Sequence, residues 1–364
     1  MTSVPGTSRL APAPRAPGRD GTPRLVGVDV ARGLAVLGMF AAHMWPREGL
    51  DERFFDGRSA ILFATLAGVS LGLMSGGARP VARGGRGAVV GSIAIRAVLL
   101  VVLGTLLQAW NGYVLVILPY YGVMFLLVLL VLFATRPVLL ATAAVVTVVA
   151  PWLASLVPVT NLGGTTLTGP AGLAADALLV GSYPALVWLP FLLVGLVAAR
   201  SDLRRRRTQL VLLVAGVVAA VVGYGARFLP GGGDLAALDP ADHEGMPAEI
   251  VGSGGVAAAV IGLLLLVTSP DGAAGRAARV VLRPLSATGA QPLTVYSAHL
   301  LLTAPLFTAY RLQGGSYGLP LGWLVAAVLL TLAYALVWQR FVGRGPLERL
   351  VGRVSRVRPA RPAL

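Results

Sequence analysis

The chain has 364 residues, is 56% hydrophobic and 12% charged, and carries a formal net charge of +15. So much apolar surface cannot be hidden behind so little polar cover in water, which excludes a soluble domain. The chain has no Cys, and all 30 of its basic residues are Arg; this excludes disulfides, thiolate metal sites, acyl-cysteine intermediates and lysine Schiff bases.

Residues 1–23 are rich in Pro, Gly, Ser and Arg and are expected to form a disordered tail. The apolar run Val26 to Trp45 is longer than a signal-peptide core and is followed by no small-x-small cleavage site, so it reads as an uncleaved first span. At 3.6 residues per turn, Asp29, Arg32, Met39 and His43 fall on one side of that helix. Asp29 and Arg32 are spaced to pair. Two readings follow. One is a topogenic ion pair plus an interfacial histidine. The other is a polar stripe in which Asp29 and Arg32 shape the inner end of a cavity and His43 acts as a general base, since imidazole titrates near neutral pH.

The second span, 59–76, carries Ala64, Gly68, Gly72 and Gly76 at four-residue spacing, a stripe for close helix packing. Asp56 and Arg58 stand just outside it, either as a local rim pair or orienting His43 across a short external loop. The third span, 88–109, holds Arg96, which counts with Arg58 among the candidate donor-binding residues; Gln108 and Asn111 at its outer end are candidates for holding an acceptor. Span four, 113–134, contains Pro119-Tyr120-Tyr121-Gly122, predicting a kinked helix with Tyr120 or Tyr121 lining any pocket.

Span five covers 138–157. The patch Ala171–Val180, with Asp176, is too short to cross and predicts an interfacial or re-entrant helix. Spans follow at 184–199, 208–228 and 250–268, with a Gly- and Asp-rich loop before the last; His243 in that loop reads as solvated, and no metal site is expected. The ninth span, 287–310, puts Tyr296, His299 and Thr303 on one face. His299 either bonds a neighbouring helix or lines the same cavity as His43. A tenth span covers 319–341, and residues 346–364 form a basic tail behind a membrane domain at 24–345.

Arginines cluster in every second loop: Arg79/Arg83/Arg86, Arg136, Arg200 with Arg204 to Arg207, and Arg276/Arg279/Arg283. The positive-inside rule then predicts an all-α polytopic bundle of about ten transmembrane helices in the plasma membrane, both termini cytoplasmic. The expected partners begin with the lipid bilayer, and nucleic acid is not among them; homodimerisation stays open. Topology alone explains the arginine clusters, which could equally hold the phosphates of a cytoplasmic donor.

Several stretches taken in order resemble one family. Arg24 to His43 is similar to the opening of the transmembrane acyltransferases related to heparan-alpha-glucosaminide N-acetyltransferase and of bacterial YeiB-like relatives. Gly57 to Leu71 is similar to that group's second span, Gly181-Ser-Tyr183-Pro184 through Trp188 to Gly195 to a later one. Gly289 to His299 and Gly345-Pro346-Leu347-Glu348 resemble the C-terminal part of the YeiB-like group. The resemblance implies a multi-helix acyltransferase fold. It also implies acetyl-CoA binding from the cytoplasm as co-substrate, a sugar amine acceptor on the far side, and a histidine after the first span that assists transfer. The matching histidine is His43. The large luminal domain of the sugar enzyme has no counterpart here.

The expectation is therefore an acyltransferase that passes an acyl group from acyl-CoA to an extracytoplasmic glycan or small-molecule acceptor. His43 would be the base, helped by His299 or Asp56. Asp29, Arg32, Arg58, Arg96, Tyr120 and Tyr296 would surround the donor. The alternative is a transporter or export factor using the same polar groups for a small anionic or lipid-linked solute.

Overall fold

The computed structural model describes residues 24–45, 57–160, 165–229, 236–238, 245–269, 272–315 and 318–357. Among these residues there is no strand beyond an isolated bridge between Val159 and Thr165. Helix α1 spans Val26–Met44, α2 Arg58–Met74, α3 Arg83–Trp110, α4 Leu118–Leu129 and α5 Arg136–Ser155. A short α6, Gly169–Ala175, runs into a π-helical turn, Asp176–Val180, ahead of α7, Ala185–Arg200. Next come α8, Arg206–Gly225, and α9, Pro247–Val267. The chain closes with α10, Gly272–Val281, α11, Arg283–Gly289, α12, Pro292–Leu312, α13, Leu321–Phe341, and α14, Pro346–Val354.

Six of these helices are long and apolar enough to cross a bilayer: α1, α3, α5, α8 with its extension to Phe228, α9 and α13. Counted together, Gly169–Val180 and α7 make a seventh, bent by 45°. Each expected span falls on a helix, but α2 and α4 have only 17 and 12 residues. The short patch around Asp176 is helical and joins α7 at that bend, as a broken or re-entrant segment would.

Two expectations change. Pro119 does not kink a long helix; it sits in the first turn of α4, where its missing N–H would have no partner anyway. Gly122, one turn further, brings α4 against α3, because a Cβ there would overlap the Ala97 carbonyl oxygen. The ninth span is two helices, α11 and α12, interrupted at Ala290 and Gln291 ahead of Pro292. The basic tail opens with α14, which folds back onto α12.

Small residues set the helix contacts. A Cβ at Gly68 would overlap the Leu192 carbonyl oxygen, and one at Gly195 the Thr65 carbonyl oxygen, so α2 and α7 meet backbone to backbone. Gly216 and Gly223 of α8 approach Gly255 and Gly252 of α9 in the same way. Lipid tails are as apolar as leucine, so close van der Waals packing and interhelical hydrogen bonds hold such a bundle rather than exclusion of water. The outer helices show the complementary pattern. Leu106 on α3, Val148 on α5, Val221 on α8 and Leu330 on α13 are more than 60% exposed, leaving an apolar perimeter for lipid.

The connections 75–82, 130–135 and 201–205 meet at one end of the bundle, the arginine-rich end. Gly57, the segment 113–117 and Tyr183 meet at the other.

Candidate functional site

Helix α1 carries His43 in its last turn, and α12 carries His299 two turns from its start. The helices place the rings together: His43 Nδ1 lies 2.9 Å from His299 Nε2. The rings stack with centroids 5.2 Å apart. His299 is only 4% exposed. Phe40 covers one side of it at 4.3 Å between centroids, and Tyr296, one turn back on α12, meets it edge-on at 5.1 Å. A cavity of about 370 Å³ opens beside the pair, lined by Met39, His43, Ser59, Tyr113, Tyr183 and Tyr296 among others. That volume suits a small ligand, with an aromatic wall and a few polar groups to orient it.

The ring-to-ring contact fixes a chemical choice. One of the two facing nitrogens carries the hydrogen and the other the lone pair. When His43 donates through Nδ1–H, its Nε2 keeps a lone pair and can take a proton from a bound hydroxyl or amine. His299 then acts by holding the ring and its tautomer, as the third member of a catalytic triad does.

Further along α1 toward the arginine-rich end, Arg32 Nη1 pairs with Asp29 Oδ1 at 2.9 Å, and Arg32 Nη2 donates to Ser70 Oγ of α2 at 3.0 Å. Ser70 in turn donates to the Leu66 carbonyl at 2.7 Å. Gly33 and Gly289 let α11 lie directly on this stretch of α1. Val36, Met39 and Phe40, all buried, separate the ion pair from the histidines. Neither Asp29 nor Arg32 lines the histidine cavity. The polar stripe of α1 is thus two clusters rather than one channel wall.

The remaining candidates spread out. Arg58 Nε donates to the Tyr224 hydroxyl at 3.3 Å and lies over that ring, and Tyr224 pairs with Ser253 at 2.8 Å. Tyr120 accepts from the Ser182 amide at 3.2 Å and packs edge-on against Tyr183, so it braces the cavity wall from behind. Tyr121 is buried and donates to the Ala60 carbonyl at 3.2 Å. Arg96 is half-buried on α3 and is not among the cavity residues. Asp56 and His243 lie outside the described residues.

Gln108 and Asn111 do not serve as acceptor ligands, because their polar atoms are consumed in shaping the chain. Gln108 donates to the Asn111 and Val114 carbonyls and accepts from the Val116 amide. Asn111 donates to the Leu300 carbonyl at 2.9 Å and to Thr303 Oγ1 at 3.0 Å. Together they fix segment 113–117 over the cavity and tie it to α12.

Sequence reasoning missed Ser59, Tyr113 and Tyr183 as lining residues, since no periodicity joins them: Ser59 opens α2, and the two tyrosines come from different connections. It also left Glu348 without a role. One oxygen of Glu348 accepts from the amides of Leu293 and Thr294 at 2.7 and 3.1 Å, and the other from Thr294 Oγ1. A carboxylate from α14 therefore caps the helix that carries His299, where the helix dipole favours negative charge. A Cβ at Gly345 would meet that carboxylate, Gln291 Cβ and Thr294 Oγ1, so a side chain there would disturb the cap.

No curated protein matches the chain. Residues 195–358 match a family model described as "Protein of unknown function (DUF418)". The matched stretch runs from the middle of α7 to beyond α14, so it includes His299 and Glu348 and stops short of His43.

Proposed function

We propose that this chain is an acyl-CoA-dependent acyltransferase of the plasma membrane, with about ten crossings and both termini in the cytoplasm. It moves an acyl group, acetyl by resemblance, from cytoplasmic acyl-CoA to a hydroxyl or amine of an extracytoplasmic sugar or glycan. The observation that carries this reading is the 2.9 Å contact between His43 and His299 at a 370 Å³ cavity. That cavity lies at the end of the bundle away from the arginines, where an extracytoplasmic acceptor arrives.

His43 Nε2 removes the acceptor's proton as its oxygen or nitrogen bonds the acyl carbon. The carbon–sulfur bond breaks, and CoA leaves as a thiolate that takes the proton from the imidazolium. His299 holds the His43 ring, Tyr183 and Tyr296 orient the acceptor, and the Asp29–Arg32–Ser70 cluster braces α1 against α2.

The test is CoA release by purified protein in liposomes given acetyl-CoA, with glucosamine as the acceptor probe. The chain has no Cys, so a thiol reagent reads free CoA without background from the protein. Release that depends on acetyl-CoA and on His43 supports the reading. No release, together with no thermal stabilisation by acetyl-CoA, sinks it.

A second reading is transport of a small anionic or lipid-linked solute. The break between α11 and α12, closed by a carboxylate from elsewhere in the chain, favours it, because interrupted helices mark substrate sites in many transporters. Solute counterflow in vesicles without CoA release would select this reading.

A further inference from the structure

The arginine-rich end holds a second hollow, of about 680 Å³. Its lining includes Arg79, Arg136, Arg200 and Arg205, against one carboxylate, Asp202. Topology explains why arginines lie at this end of the bundle. It does not explain why four of them, drawn from two helix ends and two connections, face one space.

Arg200 is the informative member. It closes α7, is 7% exposed, and has its guanidinium inside the protein. Nη1 donates to the carbonyls of Gly72 and Gly77 at 3.3 and 2.7 Å, and Nη2 to Ser75 Oγ and the Leu132 carbonyl at 2.8 and 2.9 Å. All four acceptors are neutral. Among the described residues its Nε–H has no hydrogen-bond partner. A buried cation normally has a counter-charge, since desolvating one alone is strongly unfavourable. Asp202 does not supply it. That residue is held in the left-handed region at φ 57° and pairs with Arg205 at 3.2 Å. Arg86 adds a further cation close by, over the ring of Phe133, another wall of the hollow.

We infer that this hollow binds a phosphate-bearing anion, which supplies the counter-charge to Arg200 while Arg79 and Arg136 grip it from the rim. Several guanidiniums converging on one space suit a phosphate monoester or diphosphate better than a single carboxylate, because the forks of Arg79 and Arg136 can each span two phosphate oxygens and the excess positive charge calls for more than one negative charge. The ligand arrives either free in solution or on an anionic lipid headgroup. The inference does not rest on acyl transfer; a chain with no transferase activity would still bind.

Two arms separate the sources. Delipidated protein in neutral detergent is titrated with inorganic diphosphate and followed by calorimetry. Protein in nanodiscs of phosphatidylcholine with phosphatidic acid, a phosphate monoester, or of phosphatidylcholine alone is examined by native mass spectrometry for retained lipid. The wild type is expected to bind in at least one arm, and that arm names the source. The double variant Arg79→Gln/Arg136→Gln should weaken this binding tenfold or more with an unchanged melting temperature, because both side chains are exposed. The matched pair Arg276→Gln/Arg279→Gln on α10, outside the hollow, should leave it within twofold. Absence of binding in both arms overturns the inference. So does an equal loss in the α10 pair, which would mean surface charge rather than a site.

Discussion

Glu348 caps the amide of Leu293 at 2.7 Å across 55 positions of sequence, so the helix bearing His299 begins where α14 lets it begin. Replacing Glu348 by Ala strands the Leu293 and Thr294 amides at a half-buried helix start. A lost cap with unpaired donors costs about 2 kcal/mol. Glu348→Gln keeps an oxygen for the two amides and should lose less than half of that. Thermal unfolding in detergent checks the order wild type, Gln, Ala; an Ala variant melting with the wild type would remove the cap from the stability of α12.

The Asp29–Arg32 pair offers a sharper electrostatic test. Both side chains are under 20% exposed and 2.9 Å apart, and Arg32 has a second anchor in Ser70. Removing either charge leaves the other poorly solvated, so Asp29→Asn and Arg32→Gln should each destabilise more than half as much as the double variant. A double-mutant cycle is expected to give a coupling of about 1–3 kcal/mol. A coupling indistinguishable from zero would make the pair a topological signal alone.

How far these features could be read in advance depends on how local they are. Asp29 and Arg32 are separated by less than one helical turn, so spacing alone predicts their contact. The stripe through Gly68 and Gly72 announces a packing face for the same reason. His43 and His299 meet because α11 lies on Gly33 and leads into α12, a relationship carried by backbone contacts at Gly33 and Gly289. No periodicity reports that. Pro119 misled because a proline inside an apolar run signals a kink or a first turn equally well, and only the Gln108 and Asn111 hydrogen bonds to 113–117 decide between them. Arg200 is indistinguishable in sequence from its neighbours Arg204 to Arg207. Its burial goes with the acceptors gathered beyond the ends of α2 and α4, the Gly77 and Leu132 carbonyls and Ser75 Oγ.

The backbone contact between α2 and α7 predicts a contrast between two glycines. Gly68→Ala adds a methyl group where the Leu192 carbonyl already sits, and neither backbone can retreat without breaking the neighbouring Gly195 contact. It should lower the melting temperature clearly, at a cost of about 1–3 kcal/mol for overpacking. Gly84→Ala near the start of α3 meets nothing within 4 Å and should be neutral or stabilising by about 0.5–1 kcal/mol. Equal effects at the two sites would mean that the close approach is not what holds these helices together.

The histidine pair yields the test most specific to chemistry. If His43 is the base and His299 only positions it, His43→Ala should lower acyl transfer by about 10²–10⁴-fold. His299→Ala should lower it by less, because an unheld His43 still spends part of its time correctly placed. The double variant should be no worse than His43→Ala alone, since groups that act as a unit do not add. His299→Gln, which can present a carbonyl oxygen near the position of Nε2, should recover part of the activity lost in His299→Ala, whereas His43→Gln should not recover activity at all. Melting temperatures measured alongside separate chemistry from folding. Multiplicative losses in the double variant, or rescue at position 43, would show that the two rings work independently and that their 2.9 Å contact is packing rather than mechanism.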